Sequence, residues 1–144
     1  MVNNVNQLAL AAAVLAVLAV PVVTWWLTGD QSTTNPDNAD YVLRPPFRLS
    51  ARATRALGTG ALVVTVVAAA FLIAASASHS FDLSWWSVVG PLLLLGIFLG
   101  LGLRIFTAGV IGANIGAGLF VFFIGPAMLA LVAWVIFRTI SLLR

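Results

Sequence analysis

An all-α, polytopic membrane fold with four transmembrane helices and one long polar loop follows from three observations on the sequence. Between Trp85 and Leu143 the only ionisable side chains are Arg104 and Arg138. A soluble domain of this size has too little interior to hide so long an apolar run, whereas a membrane helix needs only about 20 such residues. The run therefore holds two spans, with its break between Leu103 and Ile115. Composition agrees: 62% of the residues are hydrophobic and 8% are charged, against about 25% charged in a soluble domain. Two further apolar runs, Leu8–Leu27 and the stretch after Arg55, complete the set. Residues 1–144 thus read as a single membrane domain with spans at 8–27, 56–77, 85–104 and 116–137 and a polar loop at 28–50.

The opening MVNNVNQ carries no basic residue, unlike the n-region of a secretory signal. The run that follows is about 20 residues, or about 30 Å as a helix, which crosses the hydrocarbon. We read it as a retained first span, with Pro21 placed to bend it and Trp25 and Trp26 as an aromatic anchor at headgroup level. Asp30, Pro36, Asp37, Asn38 and Asp40 then mark turns, and the Arg44-Pro45-Pro46 step blocks a helix. The three Asp lack the oxygen-ligand spacing of a calcium loop, so a solvated loop is expected, or one ordered by a partner.

Ser50 is a candidate N-cap for a helix from Ala51 to near Ser78. Arg48, Arg52 and Arg55 stand four and three apart and share one side of its foot. The simplest reading is a membrane-interface strip on the cytoplasmic face; contacts to anionic lipid or to a protein partner are the alternatives. His79 and Asp82 lie in the next connection. No further ligand or third catalytic group is close in sequence, so a structural or solvated role is expected for both, with proton handling as the alternative.

The third span repeats the aromatic doublet at Trp85 and Trp86, again a membrane-interface marker. Gly90-Pro91 is expected in its first turn, where a missing donor matters least. Gly96, Gly100 and Gly102 permit a close neighbouring helix. Arg104 ends the span, either reaching headgroups or, if the helix continues, requiring a partner. Gly112-x-x-x-Gly116 matches the small-residue pattern of packed membrane helices, so Gly96, Gly100, Gly112 and Gly116 are the expected helix-packing positions. Arg104 and Asn114 are the candidate polar site. In the fourth span Gly125-Pro126 predicts a kink, and Trp134 and Arg138 anchor the exit.

Arg44, Arg48, Arg52, Arg55 and Arg104 fall on one side of a four-span path, and Arg138 and Arg144 on the other. The imbalance puts the long loop in the cytoplasm and both termini outside a cell membrane. A net charge of +3 spread over flanking loops is a topology signal and not a concentrated nucleic-acid surface. The absence of cysteine removes disulfides, thiolate chemistry and Cys-ligated metals. No catalytic, cofactor or metal residues are expected. The favoured function is a non-catalytic membrane subunit or scaffold that packs through small-residue faces with another integral membrane protein or with itself, alongside membrane lipids. A small transporter or channel component is the first alternative; an integral-membrane enzyme is the weakest, because intramembrane His, Glu, Cys and Lys are missing.

Overall fold

The computed structural model describes residues 7–32, 40–45 and 49–144; Pro36, Asp37, Asn38, Pro46 and Arg48 lie outside them. The chain forms α1 (Gln7–Thr28), α2 (Ala51–Ala77), α3 (Trp86–Thr107), which a 3-10 turn at Leu83–Trp85 leads into, and α4 (Ala113–Leu143). All four are long and apolar enough to cross a membrane, and the protein is a multi-pass membrane protein.

The helices form an open row, not a closed bundle. α1 is flanked by α2 and α3, and α4 packs on α3 alone among its substantial contacts. Burial in α1 falls on Ala9, Ala12, Ala13, Ala16, Ala19 and Val23, a seam of steps of three and four. In lipid the apolar side chains gain little by leaving the solvent, so association depends on close fit, and alanine lets neighbouring backbones approach. This seam meets Ala68, Leu72 and Ala75 of α2, Phe81 of the connection and Val89 of α3 in one buried cluster.

Each boundary has a local cause. Ser50, in an extended conformation, accepts a hydrogen bond from the Ala53 amide at 3.2 Å and starts α2. At the other end His79 takes a left-handed φ of 57°. Its amide donates to the Ser76 carbonyl at 3.2 Å, and that of Ser80 to the Ala75 carbonyl at 3.0 Å. This is the paired bonding of a Schellman stop, with histidine where glycine is usual. Asp82 caps the following turn, its carboxylate accepting from the Ser84 amide at 2.8 Å. The conformation thus gives both His79 and Asp82 a structural task.

Observed ends run past the expected spans because helix and hydrocarbon need not coincide. Arg52 and Arg55 are already helical. α4 has 31 residues, about 46 Å of helix against about 30 Å of hydrocarbon, so it tilts or projects. Pro91 does not occupy the first turn of α3; the helix begins at Trp86, which puts proline in the second turn. Its missing N–H then leaves the Ser87 carbonyl without an intrahelical donor.

The described parts of the polar loop are held by the chain itself. Asp40 forms an antiparallel bridge with Val110, the Leu43 amide donates to the Phe106 carbonyl at 2.9 Å, and the Gly109 amide donates to Ser32 Oγ at 3.1 Å. Gly109 is needed here: a Cβ would stand 2.5 Å from the Tyr41 ring. The α1–α2 loop and the α3–α4 connection therefore share one end of the molecule, as an up-down path requires.

If His79 serves as a helix stop, His79→Gly removes left-handed strain and leaves stability unchanged or raised by up to about 1 kcal/mol. His79→Val places a β-branched side chain there and lowers it by about 1–2 kcal/mol. Denaturation in mild detergent reads both; a large loss with glycine would instead assign the imidazole an essential contact.

Candidate functional site

Three interhelical clamps gather Arg104, Ser87, Trp134, Arg138, Ser76 and Trp86. At the loop end, the Gly29 amide bonds to the Trp26 carbonyl and leaves the Trp25 carbonyl at the terminus of α1 open. Arg104 of α3 fills that place, Nε donating to the Trp25 oxygen at 2.7 Å. Its Cζ lies 4.0 Å from the centroid of the Trp25 ring, a cation–π contact worth about 0.5–2 kcal/mol. A cation is also favoured by the negative end of the α1 dipole, and the carboxylate of Asp30 attracts it electrostatically. Arg104 lies one turn before the end of α3 and is half-buried, turned back onto α1 rather than extended into water.

The opposite end repeats the principle. The Ser87 carbonyl, released by Pro91, accepts from Trp134 Nε1 of α4 at 2.9 Å. Ser87 Oγ accepts from Arg138 Nε at 2.8 Å and donates to the Ser84 carbonyl. Two residues of α4 therefore grip the first turn of α3. In the third clamp Trp86 Nε1 donates to Ser76 Oγ at 2.8 Å, while that hydroxyl donates to the Leu72 carbonyl. Phe81 meets the Trp86 ring edge-on at 6.3 Å. Trp25, Trp26, Trp85 and Trp86 are all half-buried, so these doublets pack between helices in addition to any headgroup contact.

Glycines supply the clearance. A Cβ on Gly100 would lie 2.5 Å from the Pro21 carbonyl oxygen and 2.9 Å from the Trp25 amide nitrogen; one on Gly96 would meet Pro21 and Val20 side chains at 3.1–3.3 Å. The α1–α3 approach is thus a backbone contact at the very place where Arg104 reaches Trp25. Gly58 of α2, which the sequence reading did not single out, carries the Trp26 indole against its Cα, where any Cβ would overlap the ring. Gly102 faces Phe120 of α4, whose ring meets Phe106 edge-on at 5.8 Å.

Gly112 and Gly116 sit differently from a helix-on-helix seam. Gly112 is the N-cap of α4 at φ 76°, and a Cβ there would meet only Ile115 at 3.6 Å; one on Gly116 would meet only Ile105 at 3.9 Å. The buried residues of α4 are Ala113 and Ala117, one position along and about 100° round the helix. Their four-residue spacing is the signal that could have found them, as the alanine repeat of α1 could have found its seam. Asn114 is exposed, and no hydrogen bond joins it to Arg104 among the described residues. Arg52 and Arg55 are exposed at the foot of α2.

No family model, curated protein or solved structure matches this chain. Among the described residues no group of three or more His, Cys, Asp or Glu side chains is placed to hold a metal ion. The arrangement can fix helices to one another; the described polar groups form no nucleophile–base pair.

Two contrasts test these clamps. Gly100→Ala forces backbone apart and costs about 1–3 kcal/mol, whereas Gly116→Ala, facing an ordinary contact distance, changes detergent stability by less than about 0.5 kcal/mol. Equal effects would remove the α1–α3 backbone seam. Arg104→Leu, which strips the bond to the Trp25 carbonyl, lowers stability by about 1.5–3 kcal/mol; a melting curve matching the parent would mean that the carbonyl is otherwise satisfied.

Proposed function

We propose that this protein is a non-catalytic membrane subunit or scaffold that presents the free side of α4 to another integral membrane protein. The observation that carries the reading is the one-sided placement of α4. It meets α3 at Phe120 and through its Trp134–Arg138 grip, yet no residue of its most apolar window is buried. Phe122, Phe123, Leu129 and Phe137 remain between 64% and 73% exposed. Lipid can cover such a face, and so can a partner helix at comparable apolar solvation, which makes close fit the deciding factor. The use of Arg104, Arg138 and Ser87 in internal hydrogen bonds supports a holding role, since a passage for solute requires polar groups turned toward it.

Purification in mild detergent followed by native mass spectrometry tests this function. A stoichiometric larger membrane partner, cross-linked through cysteine at Phe122 or Leu129, is the expected result. An isolated chain that carries solute flux in vesicles would replace the scaffold with a transporter.

The arginine imbalance further supports a cytoplasmic long loop with the His79 connection on the opposite face. Cysteines introduced separately at Leu43 and Ser80 into this cysteine-free chain should be reached by an impermeant thiol reagent from opposite faces, Leu43→Cys from inside. Labelling of both from one face would overturn the four-span path, and exchange of the faces would overturn the orientation alone.

A further inference from the structure

We propose that the foot of α2 is a docking surface for anionic phospholipid, with the Arg52 and Arg55 guanidiniums taking the lipid phosphates. The two side chains stand three residues apart, on neighbouring positions of one helix face, and both are exposed. Their situation differs from that of the arginines the fold uses. Arg104 is bound to the Trp25 carbonyl and Arg138 to Ser87, whereas Arg52 and Arg55 have no side-chain hydrogen bond or ion pair among the described residues. No acidic residue occupies the first turn of α2. Two cations near the positive end of a helix repel each other and the helix dipole unless an external anion balances them.

Among the described residues no carboxylate at this end is paired with Arg52 or Arg55: that of Asp30 accepts from the Ser32 amide and acts on Arg104. Exposed Arg44 adds positive charge on the same side. Apolar side chains at the same level of the helix foot indicate the depth: Leu49 and Leu57, three residues before Arg52 and two after Arg55, are 39% and 48% exposed. Outward leucine at the level of arginine fits the boundary where acyl chains end and phosphates begin. An anion at that depth is carried by a lipid and not by free phosphate.

A membrane-facing arginine contributes roughly a fivefold preference for anionic over zwitterionic lipid, and two about 25-fold. The full chain, reconstituted in mixed phosphatidylglycerol and phosphatidylcholine and released for native mass spectrometry, should retain phosphatidylglycerol preferentially. Arg52→Gln with Arg55→Gln should reduce that preference by about 25-fold, while Arg144→Gln, at the other end, leaves it unchanged. Should the double variant fail to insert, the parent still decides the matter by thermal shift: greater protection by phosphatidylglycerol than by phosphatidylcholine supports the surface, and equal protection overturns it. Persistence of the preference in an inserted double variant also overturns it, as does displacement of the lipid by millimolar inorganic phosphate. The scaffold function can fail without affecting any of these outcomes, because none involves the apolar flank of α4.

Discussion

Backbone groups in hydrocarbon must find partners within the protein, and this requirement governs how the four helices are joined. An unsatisfied carbonyl costs several kcal/mol there. Two such carbonyls, that of Trp25 where α1 ends and that of Ser87 where Pro91 withholds an N–H, are each closed by a side chain from the adjacent helix. Defects in one helix thereby become attachment points for the next. The hydroxyls of Thr24 and Thr65 bond to carbonyls four residues back in their own helices, which satisfies them without a partner.

The clamps and the small-residue seams depend on each other. Arg104 reaches the Trp25 oxygen only because Gly100 allows the α1 backbone to lie against α3, and the contact at Gly100 includes the Trp25 amide itself. A directional bond of this kind selects one rotation and one depth of α1 on α3, which close-packed alanine and glycine alone leave degenerate. At the other end Trp134 and Arg138 grip successive groups of one residue, Ser87. That double hold fixes α4, whose substantial helix packing among the described residues is on α3 alone.

Function follows from what this arrangement leaves over. The interior is occupied by Ala, Val, Leu and Phe, and the buried polar side-chain atoms among the described residues are already paired. What remains for recognition is the apolar flank of α4 and the charged foot of α2, lying on different helices and suited to different solvents, one hydrocarbon and the other headgroup.

The sequence by itself determined the membrane fold, since helices of this length and apolarity have no other stable solvent, and it also marked the Ser50 cap and the close approach at Gly96 and Gly100. It could not distinguish which residues at the start of α4 are buried: Gly112-x-x-x-Gly116 and Ala113-x-x-x-Ala117 overlap, and rotation by one residue exchanges them. Nor could it show that Arg104 serves α1, because the open carbonyl at Trp25 arises from how a helix far away in sequence ends. The two tryptophan doublets look alike as interfacial markers, yet Trp26 lies on Gly58 and Trp86 bonds to Ser76. Such pairings are decided by tertiary structure, because helix propensity and hydropathy are properties of single segments, whereas the rotation and depth of one helix against another depend on groups from both.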